Sequence, residues 1–376
     1  MRICLFTPTF LPLVGGTEVV TDALARQFCG KGHDVVVLAH GKQTALDVPY
    51  EVCWYSKPIL HRWFPERIGR HLHDLHQRHR FDIVAANYGT PTGYAAVKIG
   101  RSSNLPAVVV SHGGDLYRSS MRRRHRHLWT RIERAYCQAD GLVAISPYIE
   151  QLIRQINPDP KCMELIPNGI DADDVNRPAQ QPGDYDDARP FCLALGNLGP
   201  MKGFDDAIEA FARIRGRIQP TILLIVGTGK LDAELRQKAT DLHVSDDVLF
   251  LGARTGGDKR WLLQNCRFGV APSIEEGHPI VGLEFLAVGK PLICSTNPAF
   301  DGMYEDQVNA LRVEARQPEQ LADAMLRMDT MDLGAMGAIS RQRARSYEWP
   351  AIADRYLSFF DKVIAQHKAQ ADHSPA

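Results

Sequence analysis

Pro272-Ser-Ile-Glu-Glu-Gly-His-Pro-Ile-Val-Gly-Leu-Glu-Phe-Leu-Ala-Val-Gly-Lys-Pro291 carries two glutamates eight positions apart, Glu276 and Glu284. The short apolar run before it, residues 269–271, reads as a strand, the Gly-Pro segment as a loop, and the run from about 280 as a helix. A strand feeding a helix through a short loop is half of a parallel βαβ unit. In open α/β sheets the ligand crevice lies outside the carboxyl ends of such strands. Glu276 then stands at the mouth of the crevice and Glu284 about one turn inside the helix behind it. Two acceptor-only carboxylates suit a ligand rich in hydroxyls, since each can receive two OH donors.

The same alternation of strand and helix continues on both sides. Strands are expected at 3–6, 35–39, 82–86, 107–111, 142–145 and 163–166 in the first half. The second half offers 191–195, 221–226, 248–251, 269–271 and 292–294. A helix over 17–29 puts Val20, Leu24 and Phe28 on one stripe and meets stop signals at Gly30 and Gly32. Such a pattern predicts parallel sheets covered by helices on both faces. At 376 residues the chain exceeds what one core sustains, so two domains are expected, 1–180 and 190–355. The polar, proline-containing stretch Arg177 to Pro190 reads as a linker or hinge, and the helical tail about 356–370 carries its own apolar face.

The composition, 44% hydrophobic and 23% charged, is that of an ordinary globular protein. A net charge of zero gives no whole-chain argument for nucleic acid, and no RNA or DNA module accompanies the local charge. Between Lys57 and Arg134, however, 15 Lys/Arg face 5 Asp/Glu, so the basic character sits in the first half. The eight cysteines are scattered without metal or redox spacing and read as reduced thiols. No signal peptide and no membrane-length apolar run is recognised, so a cytoplasmic protein, at most peripheral on the inner face of the membrane, is expected.

Four constellations could carry chemistry. Pro12-Leu-Val-Gly-Gly-Thr-Glu18 follows the first strand, and its adjacent Gly15 and Gly16 would let backbone N–H groups approach an anion; it reads equally as a tight turn with Thr17 as helix cap. Leu195-Gly-Asn-Leu-Gly-Pro-Met-Lys-Gly-Phe204 occupies the matching place in the second half and would aim Lys202 at a phosphate, although a loop lysine is more commonly a solvated charge. Ser111-His-Gly-Gly-Asp115 brings His112 to a strand end facing the crevice, or holds a structural histidine beside a turn. The basic and aromatic segments His61-Arg-Trp-Phe-Pro65 and Arg122-Arg-Arg-His-Arg-His-Leu-Trp129 offer Arg122, Arg123, Arg124, Arg126 and Trp129 to an acidic acceptor or an anionic membrane, or form a solvated face. Histidines 71, 73, 76 and 79 lie in a helical Arg/His stretch where HxH spacing does not place both histidines on one helix face, so metal binding there is not expected.

Taken in order, Gly15-Gly16, Gly32-His-Asp-Val, His112-Gly-Gly-Asp, Ile166-Pro-Asn-Gly-Ile-Asp171, Gly196 to Gly203, Phe250-Leu-Gly252 and the Glu276-x7-Glu284 element resemble the family 4 retaining glycosyltransferases. The resemblance spans nearly the whole chain. It implies the GT-B fold, two Rossmann-like doubly wound α/β domains facing a central cleft, with the terminal helix crossing back to the first domain. It also implies transfer of a sugar from a nucleotide-diphosphate donor to a hydroxyl of a glycan or glycolipid, as in cell-surface polysaccharide or lipopolysaccharide assembly. No cofactor or metal is implied. Carried over residue by residue, Lys202 and Asn197 face the diphosphate and Glu284 the ribose. Glu276 and the backbone of Gly277, His278, Pro279, Ile280 and Val281 hold the transferred sugar. Gly252 and Arg254 face the base, Gly15 and Gly16 the phosphates, and His112 the sugar near its reacting carbon.

Three departures stand out. Asn197 replaces the family's usual arginine, removing a cation from the diphosphate that Arg254 or an arginine of the first domain would restore. Gly277-His-Pro replaces Gly-Phe-Gly, and Pro279 has no N–H to donate. Asn297-Pro-Ala-Phe-Asp301 replaces a glycine pair. Two other readings stay open: a sugar-nucleotide epimerase of the same architecture, and an inactive nucleotide-binding homologue. A nicotinamide dehydrogenase is disfavoured, since neither glycine loop is a GxGxxG after a strand with an acidic residue ~20 positions on.

Overall fold

The computed structural model describes residues 1–13, 15–56, 66–117, 125–217 and 221–372. Two compact units are present, Met1–Asn168 with Trp349–Ala376, and Gly169–Glu348.

In the first unit the described strands are β1 (Arg2–Thr7), β2 (Asp34–His40), β3 (Glu51–Tyr55), β4 (Ile83–Asn87), β5 (Ala107–Ser111), β6 (Gly141–Ala144) and β7 (Met163–Leu165). They pair in the order β3-β2-β1-β4-β5-β6-β7, every pair parallel. Residues of β4, β5 and β6 are buried throughout, which is why they read as unbroken apolar runs rather than alternating ones. Parallel neighbours need right-handed crossovers. The connections β3 to β4, β4 to β5 and β5 to β6 run in one direction and place helices Glu66–His79, Tyr94–Ser103 and Arg126–Gln138 on one face. The β1-to-β2 connection runs the other way, so helix Gly16–Gly30 covers the opposite face.

Helix Trp349–Asp372 packs beside Gly16–Gly30: Phe28 meets Phe360 edge-on with ring centroids 5.9 Å apart, and Tyr356 at 6.4 Å. Gly141 is required here, because a Cβ would lie 2.7 Å from Val363. This helix begins at Trp349, earlier than the expected 356.

The second unit holds β8 (Phe191–Leu195), β9 (Ile222–Val226), β10 (Val248–Gly252), β11 (Gly269–Ala271), β12 (Leu292–Ser295) and β13 (Ala310–Val313), in the order β10-β9-β8-β11-β12-β13, again all parallel. Apolar clusters cover the sheet, one built around Ile208, Phe211 and Met325, another around Leu224, Phe285 and Phe300.

The expected hinge at 177–190 is not a boundary. Tyr185 is buried against Phe191 and Trp261, and Arg189 bonds Asp187 and Asp247, so this stretch belongs to the second unit. The unit boundaries fall at Asn168/Gly169 and Glu348/Trp349 instead of at 180, 190 and 355. Two strands lie outside the sequence expectation, β3 and β13. Both are sheet edges and short: Val52-Cys-Trp-Tyr55 is a four-residue apolar run only partly buried, and Arg312 interrupts Ala310-Leu-Arg-Val313.

Candidate functional site

The order of strands reverses between β8 and β11 in the second unit, and between β1 and β4 in the first. These are the topological switch points at which open α/β sheets bind ligands.

At the β8/β11 point, Leu195 leads into the loop that carries Asn197 and Lys202 and ends at Gly203. Gly203 has φ +70°, and a Cβ there would lie 2.4 Å from the Pro272 carbonyl, so only glycine lets the helix Phe204–Ile214 begin so close to the loop after β11. That approach brings Lys202 Nζ onto Glu276 Oε1 as an ion pair, and the Ser273 hydroxyl donates to the same oxygen at 3.2 Å. Asn197 is exposed.

Helix Ile280–Val288 starts at Pro279, whose carbonyl accepts from the Gly282 and Leu283 amides, and whose missing N–H costs nothing at a helix start. The amides of Ile280 and Val281 belong to this first turn, beside Glu276. Glu284, one turn in, is buried. Lys259 Nζ donates to its Oε1 at 2.5 Å, while its Oε2 has no hydrogen-bond partner. A buried carboxylate oxygen left without a donor is costly and marks a place for one.

Gly277 and His278 are also buried, and the His278 ring lies 5.7 Å from that of Tyr347. Burial pushes the His278 pKa down to about 3, so this ring is neutral and brings no charge to an anion. Asn297, one of the departures, is a scaffold residue: its Nδ2 donates to the Ile274 carbonyl at 3.0 Å, and Ser295 Oγ donates to the Ser273 carbonyl at 2.6 Å. Together they clamp the loop that presents Glu276.

Gly252, with φ +67°, accepts from the Gly227 amide through its carbonyl. Arg254 is committed to Asp184 at 2.6 Å and Asp258 at 3.3 Å. To stand in for the arginine absent at 197 it would have to exchange these carboxylates for phosphate oxygens, as Lys202 would exchange Glu276. Lys259 and Ser273 escaped the sequence reading; Lys259 lies 25 positions from Glu284, and no local spacing links them.

The β1/β4 point is built differently. Gly15 caps helix Gly16–Gly30 with extended backbone and no side-chain cap. Thr17 is not the cap; its hydroxyl bonds Tyr88 Oη at 2.6 Å. A Cβ on Gly15 would lie 2.5 Å from a carboxylate oxygen of Glu18, which places that carboxylate at the helix N-terminus.

His112 follows β5, and its Nε2 lies 3.0 Å from Asn87 Oδ1. Asn87 Nδ2 donates to Thr21 Oγ1 at 2.9 Å, and Thr21 donates to the Thr17 carbonyl at 2.7 Å. With the amide so oriented, Oδ1 must accept and His112 must carry its proton on Nε2, leaving Nδ1 as an acceptor. Burial lowers the His112 pKa to about 4 and keeps the ring neutral. Tyr88 holds φ +68°, a strained value for a bulky residue, while the buried Asp115 accepts from the Gly89 amide at 2.6 Å. Arg126 and Trp129 lie on helix Arg126–Gln138; Arg122, Arg123, Arg124 and the segment His61 to Pro65 lie outside the described residues.

Two Rossmann-like units with these strand orders define a GT-B protein, and comparison with known proteins agrees. The family described as Glycosyltransferase Family 4 matches residues 14–174, and that described as Glycosyl transferases group 1 matches 177–344. The alpha-monoglucosyldiacylglycerol synthase of Streptococcus pneumoniae is 23% identical over 337 residues, covering 82% of this chain and 74% of its own length. Among solved structures, the sucrose-phosphate synthase of Thermosynechococcus elongatus superposes with a TM-score of 0.81 at 19% identity, covering 97% of this chain and all of its own. Anabaena HepE in complex with UDP and glucose superposes at 0.78 with 18% identity, over 96% and 99% of the two chains. The chain belongs to the family 4, group 1 glycosyltransferases.

Proposed function

We propose that the protein transfers a sugar, with retention of anomeric configuration and without a metal, from a nucleotide-diphosphate donor to a hydroxyl of a glycan or lipid-linked acceptor. The observation that carries the donor reading is Glu284: a buried carboxylate with one oxygen held by Lys259 and the other lacking a donor, which a ribose hydroxyl would fill. Lys202 is the cation for the diphosphate, and binding exchanges its Glu276 partner for phosphate oxygens, freeing Glu276 for sugar hydroxyls. The amides opening helix Ile280–Val288 add donors for the same anion.

In the reaction the anomeric C–O bond to the donor phosphate breaks as the acceptor oxygen bonds to the anomeric carbon on the same face. The acceptor proton passes to the leaving phosphate oxygen. The chain's part is positioning and charge stabilisation, with Lys202 countering the charge that grows on the leaving group. Neutral His112, with Nδ1 as acceptor, suits a sugar hydroxyl rather than a phosphate.

HepE holds UDP and the pneumococcal relative is a glycolipid synthase, which favours a nucleotide donor and a membrane-borne acceptor, with a cytoplasmic or peripheral location. Among the described residues no helix is long and apolar enough to cross a membrane.

Thermal-shift screening against UDP-, GDP- and ADP-sugars tests the reading: one class should raise the melting temperature of the protein and fail to do so for Glu284→Ala. If no nucleotide sugar binds, or if the variant binds as the parent does, the reading falls.

A further inference from the structure

At the carboxyl edge of the second sheet lies the crevice of Lys202, Glu276 and Glu284. At the amino edge lies a groove of about 520 Å³, whose walls include Gln264, Asn265, Arg267, Lys290 and Arg341. Arg267 stands just before β11 and Lys290 just before β12, which fixes the edge. Two helices end here, Gly256–Asn265 and Ile280–Val288, and helix Leu333–Ala344 lies alongside. Helix Ile280–Val288 connects the two places, nine residues at ~1.5 Å each or roughly 13 Å in all. A ligand in the groove is therefore not the one undergoing reaction.

The groove is positively charged. Among the described residues no acid lines it, and the neighbouring Asp332 is engaged as a helix cap, accepting from the Ala335 amide at 3.0 Å. Arg267 is neutralised by Asp329 at 2.5 Å. Arg341 is exposed and Lys290 half-buried, and neither has an acidic partner among the described residues. By contrast Arg260 and Arg343, on two of the flanking helices, pair with Asp174 and Glu305. The ordinary role of cations at helix C-termini is to complement the last carbonyls, and Arg341 does donate to the Val288 carbonyl at 3.4 Å. The magnitudes leave a surplus, because two helix ends offer about half a negative charge each against two full cations. About one positive charge stays uncompensated.

Arg341 is also held in place. Gly289 ends helix Ile280–Val288 with φ +70°, and a Cβ there would overlap the Arg341 guanidinium. A Cβ on Gly337 would overlap the Gly289 carbonyl in turn, so two glycines let helix Leu333–Ala344 set the guanidinium against this backbone. One of its N–H groups meets Val288, and the rest of the fork is left for a ligand. The amides beside it have a different character. Gln264 Nε2 donates to the Val175 and Arg177 carbonyls at 2.9 and 2.8 Å, and Asn265 Nδ2 to the Trp261 carbonyl at 2.8 Å. With the amide nitrogens committed, their oxygens are left as acceptors. Cations for an oxyanion beside acceptors for hydroxyls are the groups that a phosphorylated polyol calls for.

We infer that this groove binds the phosphate monoester of a sugar or related polyol, with the phosphate between Lys290 and Arg341 and hydroxyls donating to Gln264 and Asn265. A bare phosphate would leave the amide oxygens and most of the 520 Å³ unfilled, whereas a hexose monophosphate engages both ends of the groove. The site shares no residue with the crevice of Lys202 and Glu284, so it stands apart from the donor reading and is tested without donor or turnover.

The experiment is calorimetric titration of the full chain with glucose 6-phosphate, glucose and inorganic phosphate. The parent should bind glucose 6-phosphate, bind inorganic phosphate about tenfold or more weakly, and show no heat with glucose. Lys290→Gln should weaken glucose 6-phosphate binding about tenfold, and Arg341→Gln at least as much, as expected for charge-assisted bonds to phosphate. Lys290→Gln leaves the Arg341–Val288 bond intact, so it reports on the site even where Arg341→Gln disturbs the fold. Lys202→Met should bind the sugar phosphate as the parent does, and so should Arg217→Gln/Arg236→Gln, which removes two charges elsewhere on the second unit. A parent that does not bind overturns the inference, as does unchanged binding by Lys290→Gln. Equal loss in Arg217→Gln/Arg236→Gln reduces the effect to net charge and overturns it. Loss in Lys202→Met alone moves the ligand to the crevice, and inorganic phosphate binding as tightly as glucose 6-phosphate leaves no role for the polyol; either result overturns it too. Nucleotide-sugar binding, measured on the same proteins, reports separately on the proposed function.

Discussion

The crevice at β8 and β11 is built on ion pairs, Lys202 with Glu276 and Lys259 with Glu284, whereas the one at β1 and β4 is built on neutral hydrogen-bonded pairs, Thr17 with Tyr88 and Asn87 with His112, beside two carboxylates, Glu18 and Asp115. The strand order around the two points is the same, with the fourth strand of each unit inserted beside its first. Chemistry is therefore set by the loops, and the same scaffold gives one crevice suited to a charged ligand and another suited to hydroxyls. Even their histidines agree with this division: both His112 and His278 are held neutral, so fixed cations are left to lysine.

If the contrast is functional, removing the ions should hurt most. Lys202→Met is expected to lower turnover by about two to three orders of magnitude, the range for losing a group that stabilises transition-state charge. Steady-state kinetics with the donor found by thermal shift gives the value. A drop confined to KM would make Lys202 a binding residue only. Glu284→Ala follows, with nucleotide affinity reduced about 10- to 100-fold, as expected for a charged hydrogen bond worth ~1.5–3 kcal/mol. Calorimetry reads it directly, and an unchanged Kd would remove Glu284 from the donor site.

Much of this was legible in the sequence, for a physical reason. Parallel strands buried on both faces appear as apolar runs, and glycines forced by close approach, such as Gly203 against Pro272, recur between strand and helix. The family motifs rest on these features. What stayed hidden were features settled by distant partners. β3 and β13 are short edge strands, the first only partly buried and the second interrupted by Arg312. Arg177 to Pro190 has the composition of a linker, yet Tyr185 finds a hydrophobic seat beside Phe191 and Trp261. Lys259 and Asn297 act on Glu284 and on the Ile274 carbonyl across separations no local pattern encodes. Arg254 looked available and is held by Asp184, 70 positions earlier.

The neutral histidines give the next test. A histidine held neutral by burial takes up its proton only when the chain unfolds. Between the ordinary value of 6.5 and about 4 for His112, or about 3 for His278, the unfolded chain binds the extra proton. Stability is thus fully present above pH 6.5 and is lost as pH falls through that window, by up to about 1.4 kcal/mol per pH unit for each histidine. Denaturant unfolding of the parent and of His112→Asn from pH 7 to 4 measures the difference in slope. A parent slope no steeper than the variant's would mean that His112 already carries a proton in the fold, and the assignment of Nδ1 as acceptor would fail with it.

The smallest expected effect isolates the neutral crevice itself. Tyr88→Phe removes the hydroxyl that meets Thr17 and leaves the ring beside His112, so stability should fall by about 1 kcal/mol, the usual net worth of one such bond. The same change leaves the Lys202–Glu276 and Lys259–Glu284 pairs intact, so nucleotide affinity should stay at the parental value while turnover declines modestly. Urea unfolding and calorimetry on one preparation separate the two quantities. Should Tyr88→Phe weaken nucleotide binding as much as Glu284→Ala, the division of labour between an ionic and a neutral crevice is wrong, because a neutral hydroxyl in the first unit would then be recognising the donor as strongly as the buried carboxylate does.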